Sequence, residues 1–106
     1  TGIRPPMSIS NSRHVYQSYV VLVPREAASK RTAAIEAMKA EGIEVTIGTY
    51  HIPLTTYFKE KMGCKPGDYP VTDDIYARAM TLPVHETLTV ADQERVVSRL
   101  KHHLGI

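Results

Sequence analysis

The sequence lacks several features that mark large classes of protein. Its 106 residues include one cysteine, Cys64, and no tryptophan. An internal disulfide is therefore impossible, and a reducing, cytoplasmic environment is predicted. The longest apolar run, residues 19–24, is far shorter than the roughly 20 residues that a membrane-spanning helix needs. We expect neither a membrane segment nor a secretory leader in this sequence.

Charge and motif patterns exclude further classes. Thirteen Lys and Arg residues against eleven Asp and Glu residues give a formal net charge of +2. Because the basic residues are dispersed, no nucleic-acid partner is predicted. The glycines fit neither a dinucleotide-binding fingerprint nor a phosphate-binding P-loop. The five histidines and the single cysteine lack metal-ligand spacing, so no metal site is expected.

What the sequence does contain is the pattern of a small α/β domain of the α+β kind. Residues 14–23 are rich in β-branched and aromatic side chains, which predicts a strand, and residues 43–48 and 80–84 predict two more. An extended lead-in at residues 1–13 precedes them. We therefore expect a small sheet with helices packed on it. The four predicted helices lie at residues 29–41 and 54–62, from Asp73 to about Ala79 with Thr72 as N-cap, and after the capping-box pattern of Thr89 and Asp92.

The turn after the second predicted strand is the segment that most suggests a function. Gly48 is followed by Thr49, Tyr50 and His51, which place a hydroxyl, a phenol and an imidazole directly after the end of a strand. Binding sites are commonly built on such loops. The alternative is an ordinary turn whose polar groups contact water. The residues alone leave both interpretations open.

Other reactive side chains are further candidates. His14 stands at the beginning of the first predicted strand, where an imidazole is often partly exposed, and both ligand contact and a structural role stay open. Strand alternation places Tyr19 on the opposite face from His14 and Tyr16, and we expect the two tyrosines to pack across strands. Cys64 has no general base beside it in the sequence and is expected to be an incidental thiol. No residue of the chain is predicted to be catalytic.

Five segments read together resemble one known family. Residues 11–21, with the sequence Asn-Ser-Arg-His-Val-Tyr-Gln-Ser-Tyr-Val-Val, are similar to the first strand of the C-terminal domain in the DegT/DnrJ/EryC1/StrS family. These are the pyridoxal-phosphate-dependent sugar aminotransferases of fold type I. The resemblance extends over residues 11–100. The other segments follow in the family's order: Gly42 and Ile43 with residues 46–50, then residues 67–70, residues 79–84, and Leu88 and Thr89 with Asp92 and Gln93.

The resemblance implies a fold and a place within a larger enzyme. Residues 14–106 would form the small C-terminal domain, a mainly antiparallel three-stranded sheet with helices packed on it, and the large domain that binds pyridoxal phosphate is missing. The parent enzyme would be a homodimer. Chemistry with this cofactor needs a Schiff-base lysine. None of the six lysines lies in a segment resembling the family's lysine motif, so the chain alone is expected to be inactive and to bind no cofactor.

The resemblance also implies a reaction and a set of contacts. The parent would transfer an amino group, from glutamate, to a nucleotide-linked keto-sugar. The loop after the second strand reaches toward the substrate in this family, so Thr49, Tyr50 and His51 become expected substrate-binding residues, with His14 a further candidate. The Gly-Thr-Tyr of this turn is similar to one subgroup of the family, from which His51 departs. The alternative is a non-catalytic regulatory or binding module of the same fold.

Overall fold

The computed structural model describes residues 2–106, which form one antiparallel sheet with helices packed on it. This architecture confirms the predicted α+β fold. Two 3₁₀ helices, Arg25–Lys30 and Ile52–Leu54, precede the first and second α-helices. The strands are β1 (Tyr19–Leu22), β2 (Thr46–Ile47) and β3 (Ala79–Leu82), and the helices are α1 (Arg31–Ala40), α2 (Thr56–Met62), α3 (Pro70–Arg78) and α4 (Val90–Leu104).

β3 is the central strand of the sheet, and β1 and β2 pair with it on either side. The lead-in joins the free edge of β1. Arg4 exchanges two backbone hydrogen bonds with Leu22, of 2.9 and 3.0 Å, and the neighbouring Ile3 packs against the core. The lead-in is therefore bound to the sheet at this point.

Each predicted strand is longer than the strand in the structure. The prediction at residues 14–23 is wrong for residues 14–18 and for Val23, which follows the end of β1. Tyr16 has a left-handed backbone with φ +48°, which interrupts the extended chain before β1. The strand predicted at residues 43–48 is limited to β2 in the structure. It begins later than predicted because the backbone N–H of Ile43 donates to the carbonyl of Met38, at 2.9 Å, as part of the C-terminal end of α1. β3 stops before Pro83, which has no N–H to donate.

Helix boundaries are confirmed where the signal is local. The side-chain oxygen of Thr89 accepts from the backbone N–H of Asp92 at 3.1 Å, and the Asp92 carboxylate accepts from the N–H of Thr89 at 3.0 Å, so the predicted capping box begins α4. The prediction of Thr72 as the N-cap of α3 is wrong. Tyr69 is the N-cap, because the ring of Pro70 already has the φ that a first helical position needs.

The core lies between one face of the sheet and helices α1 and α4. α4 contributes a side chain every four residues, which is the repeat of one helix face. The buried residues of α1 are Arg31, Ala34, Ile35 and Met38. The largest side chains with almost no exposed surface are Met38, Met80, Leu100, Leu104, Val23 and Val45.

Glu41, at the end of α1, links that helix to α4. Its carboxylate accepts two hydrogen bonds from the Arg99 guanidinium, both 2.6 Å, and a third from Nε2 of His103 at 2.8 Å. Its backbone carbonyl accepts from Arg95 at 2.7 Å. The hydrogen bonds from Arg99, and then that from His103, lower the pKa of Glu41 from its ordinary 4.5 to about 2. The charged form of Glu41 therefore stabilises the folded chain.

We expect the free energy of unfolding to fall as the pH falls from about 4.5 to about 2. The folded-state pKa of Glu41 is depressed, so its contribution is complete above the unfolded pKa of 4.5 and is lost as the pH falls toward about 2. Urea denaturation of Glu41→Gln and of the wild type across this range measures the difference. Glu36→Gln, at an exposed position on α1, is the matched control. An acid-induced loss as steep in Glu41→Gln as in the wild type would contradict the assignment.

Candidate functional site

The turn at residues 48–51 leaves the sheet at the end of β2. The backbone N–H of Gly48 donates to the carbonyl of Ala79 at 3.0 Å, so the turn begins beside the first residue of β3. A side chain does not fit at this position: an added Cβ would lie 2.5 Å from Cβ of Ala79 and 2.8 Å from Cγ1 of Val20. Glycine permits the close approach of this backbone to the sheet and fixes where the turn starts.

Thr49 and Tyr50 present their side chains to solvent. Tyr50 is 74% exposed, and Thr49 is exposed beside it. The Thr49 hydroxyl donates to the carbonyl of Tyr50 at 3.3 Å. A phenol with this exposure contributes little to packing, and both its O–H and its ring are accessible to a ligand. The structure therefore places two of the predicted site residues side by side on an open surface.

His51 points in the other direction, into the domain. Nε2 of His51 donates to Oδ1 of Asp73 at 2.6 Å, and the side chain is only 13% exposed. The imidazole stacks on the ring of Tyr76, with centroids 4.8 Å apart and an interplanar angle of 15°. The three residues predicted as one site therefore point in different directions: Thr49 and Tyr50 face solvent, whereas His51 lies against α3.

Sequence reasoning assigned no site role to Asp73 or Tyr76. Both lie on α3, three positions apart and so on one face of the helix. Their partner His51 is 22 positions earlier than Asp73, so no local spacing reveals the contact. One indication of a site was present in the sequence: the spacing of three residues between Asp73 and Tyr76, which places a carboxylate and an aromatic ring on the same face of a helix.

His14 lies at the opposite end of the sheet from the turn. β1 begins at Tyr19, which pairs with Leu82 at the end of β3, whereas the turn starts beside Ala79 at the beginning of β3. His14 precedes β1 and lies at the end of the sheet formed by Tyr19 and Leu82. The structure therefore does not bring His14 together with Thr49 and Tyr50.

His14 is instead the first ring of an aromatic stack. Its ring lies 4.2 Å from that of Tyr16, and the Tyr16 ring lies 6.0 Å from that of Tyr19, both in near-parallel arrangements. The predicted separation of Tyr19 from the other two rings is wrong, because the left-handed backbone of Tyr16 breaks the alternation of a strand. The two tyrosines line a mostly apolar cavity of about 340 Å³ that His85 and Val96 also border.

Within residues 2–106, no three His, Cys, Asp or Glu side chains are grouped so that they could hold a metal ion. Over the same residues, no helix combines the length and the apolar character that crossing a bilayer requires.

The chain matches one protein-family model and is similar to known proteins. The model of the DegT/DnrJ/EryC1/StrS aminotransferase family matches residues 2–101. Among curated proteins, the chain is 26% identical over 101 residues to the uncharacterized protein MJ1066 of Methanocaldococcus jannaschii. It is 24% identical over 102 residues to the spore coat polysaccharide biosynthesis protein SpsC of Bacillus subtilis. Each match covers 94% of this chain but 26% of the relative, so the chain spans about a quarter of the curated relatives it matches.

Solved structures share the fold. PseC of Helicobacter pylori, an aminotransferase involved in the biosynthesis of pseudoaminic acid, superposes with a TM-score of 0.82 at 14% identity, over 97% of this chain and 27% of PseC. The aminotransferase TlmJ of Streptoalloteichus hindustanus gives a TM-score of 0.76 at 22% identity, over 98% of this chain and 26% of TlmJ. At these identities the matches establish the fold of the chain.

Proposed function

Because this chain belongs to the DegT/DnrJ/EryC1/StrS aminotransferase family, we propose that it is the small C-terminal domain of a nucleotide-sugar aminotransferase that uses pyridoxal phosphate. The observation that carries the proposal is the extent of the match. The family model covers residues 2–101, yet the chain spans about a quarter of the length of its curated relatives. In this proposal residues 14–106 are the small domain, residues 1–13 are its lead-in, and the parent enzyme is a homodimer.

The names of the relatives support a carbohydrate substrate. SpsC is a protein of spore coat polysaccharide biosynthesis, and PseC acts in the biosynthesis of pseudoaminic acid. For this chain we propose a nucleotide-linked keto-sugar as the amino acceptor and glutamate as the amino donor. Pyridoxal phosphate, when bound, carries the amino group between the two substrates.

The surroundings of Lys30 and Lys101 do not fit the cofactor. Pyridoxal phosphate needs a lysine, an acidic partner for its ring nitrogen and a cup for its phosphate. Lys101 lines a shallow depression on the surface of α4, together with Glu94 and Val97. All the lining residues belong to this one helix, and a single helix face cannot enclose the pyridine ring of the cofactor. Lys30 is engaged elsewhere, since its Nζ donates to the carbonyl of Leu104 at 3.1 Å. We therefore assign the cofactor to the part of the enzyme outside this chain.

The contribution of the chain is to form one wall of the substrate pocket. The phenol of Tyr50 can donate to an oxygen of the sugar or of its diphosphate, and the Thr49 hydroxyl, whose hydrogen is directed at the Tyr50 carbonyl, can accept from a hydroxyl of the sugar. Contacts of this kind orient the substrate and exclude water around it. His51 supports the turn from behind, and His14, at the far end of the sheet, is a second position for substrate contact.

Replacing Tyr50 with phenylalanine in the full-length enzyme tests this assignment. We expect kcat/KM for the keto-sugar to fall about tenfold, because one hydrogen bond to a substrate is lost. The half-reaction with glutamate should keep its rate, and the melting temperature should not change, since Tyr50 is 74% exposed. Steady-state and single-turnover kinetics measure the two halves separately.

Tyr57→Phe is the matched control, because Tyr57 is also exposed, at 62%, but lies on α2 outside the turn. Unchanged sugar kinetics in Tyr50→Phe would remove Tyr50 from the substrate pocket. A wild-type enzyme that transfers no amino group from glutamate to any nucleotide-linked keto-sugar would contradict the proposed function and favour the regulatory alternative.

A further inference from the structure

We propose that Asp73 is a positioning residue, which holds the turn of Thr49 and Tyr50 in its binding geometry through His51. The inference rests on the proposed function in one respect, because it takes this turn as the surface that contacts substrate. Asp73 itself does not reach the substrate in this proposal. Its effect is transmitted through the imidazole, which directly follows Tyr50 in the chain.

Asp73 uses both carboxylate oxygens to join two separate loops. Oδ1 accepts from Nε2 of His51 at 2.6 Å, and Oδ2 accepts from the backbone N–H of Gly67 at 3.0 Å. The first contact reaches the turn after β2, and the second reaches the loop between α2 and α3. A short hydrogen bond to a carboxylate is among the stronger polar contacts available to a protein. One side chain on a helix therefore restrains both segments relative to α3.

The ring of His51 also has a rigid support beneath it. Tyr76 lies one helical turn after Asp73, and its ring stacks on the imidazole with centroids 4.8 Å apart. The buried guanidinium of Arg31 lies 5.2 Å from the centre of the same ring and donates to the carbonyls of Tyr76 and Ala79, at 2.8 and 3.0 Å. Stacking fixes the plane of the imidazole, and the bond to Asp73 fixes its rotation within that plane. Together they determine where the chain emerges at Tyr50.

Stabilisation of helix α3 does not account for this arrangement. Asp73 lies in the first turn of α3, where a negative charge is favourable. However, α3 has no side-chain cap, and both carboxylate oxygens of Asp73 contact residues outside the helix. The neighbouring Asp74 is different, because it pairs with Arg78 of the same helix at 2.8 Å and with Arg25 at 3.3 Å. Asp73 is thus the acid of this helix that is directed at the turn.

Backbone ¹⁵N relaxation of the present chain tests the restraint without any substrate. In the wild type we expect rigid order parameters, about 0.85, at Thr49 and Tyr50, and in Asp73→Ala values below about 0.6. Asp73→Asn should retain part of the rigidity, because the asparagine side chain still offers a carbonyl oxygen to Nε2. Asp68→Ala is the matched control: Asp68 accepts from the N–H of Lys65 at 2.8 Å within the same loop, whereas the hydrogen bond of His51 is with Asp73.

Rigid Thr49 and Tyr50 in Asp73→Ala, or a turn already mobile in the wild type, would overturn the inference. If Asp73→Ala does not fold, the comparison of Asp73→Asn with the wild type decides, and equal order parameters in these two proteins would count against a positioning role.

Kinetics of the full-length enzyme test the consequence for binding. In Asp73→Ala we expect kcat/KM for the keto-sugar to fall about ten- to hundredfold, because a small displacement of a positioning group has effects of this size. The half-reaction with glutamate should be unchanged, which a general loss of stability would not produce. If the wild type is active and Asp73→Ala has the same sugar kinetics, the positioning role of Asp73 is overturned while the proposed function stands. A wild type without amino transfer would instead contradict the proposed function, and the relaxation data would still decide the role of Asp73.

Discussion

Replacing Gly48 with alanine is expected to lower the free energy of unfolding by about 3 kcal/mol, the upper part of the usual range for overpacking. The added Cβ would lie 2.5 Å from Cβ of Ala79, 2.8 Å from Cγ1 of Val20 and 2.9 Å from the backbone carbon of Ala79. Two of these three contacts are with atoms on or next to the backbone of the central strand, so the strain cannot be relieved by rotating a side chain. Urea denaturation followed by circular dichroism measures the effect.

Gly42→Ala provides a comparison with a different physical cause. Gly42 has φ +77°, and among the described residues no atom lies within 4 Å of an added Cβ. Its substitution should cost about 1 kcal/mol, which is the backbone strain of a left-handed alanine without any steric contact. Equal losses in the two variants would contradict the close packing of β2 against β3. Under the proposed function, a larger loss in Gly48→Ala should also be accompanied by reduced sugar turnover in the full-length enzyme, because the turn that we propose to contact substrate begins at that residue.

Met80→Ala is expected to cost about 3 kcal/mol as well, in this case by creating a cavity. Met80 has no exposed surface and lies on the central strand, paired with Val21 on one side and with Ile47 on the other. Neighbouring strands on both sides limit how far the structure can relax to fill the space. The variant should keep the wild-type dependence on urea concentration while its midpoint falls, which indicates lost stability with an unchanged fold.

Met62→Ala is the control for the same chemical change at the surface. Met62 is the last residue of α2 and is 67% exposed, so its truncation should change the free energy of unfolding by no more than about 0.5 kcal/mol. If Met62→Ala were as destabilising as Met80→Ala, the core would have to include α2 in addition to α1 and α4. That result would contradict the burial described for the sheet.

Features set by short-range interactions were predictable from the sequence. The capping box of Thr89 and Asp92 depends on residues three positions apart, and it begins α4 as expected. The strand predicted over residues 14–18 failed for the opposite reason. Its β-branched and aromatic side chains have strand propensity, but the left-handed backbone of Tyr16 is compatible with a stack of rings and not with a strand. Strand propensity cannot distinguish these two uses of the same residues.

The candidate site was predictable to the extent that chemistry is concentrated in one segment. Thr49, Tyr50 and His51 were selected because three polar groups follow a strand end, and the structure places the first two on an open surface. The inward direction of His51 could not be predicted, because it depends on Asp73 and Tyr76, which tertiary packing brings near. Sequence adjacency identified the segment, and only the fold assigned a different orientation to each of its members.

The pairing of Arg4 with Leu22 has a consequence for self-association. β1 is an outer strand of the sheet, and a bare outer strand can template intermolecular pairing and aggregation. The two backbone hydrogen bonds of Arg4 pair the Leu22 end of this edge, and β2, the strand at the other edge, is only two residues long. A truncation that removes Arg4 would expose the backbone N–H and C=O of Leu22 at the edge of β1. We therefore expect a form of the chain without its first few residues to aggregate more readily.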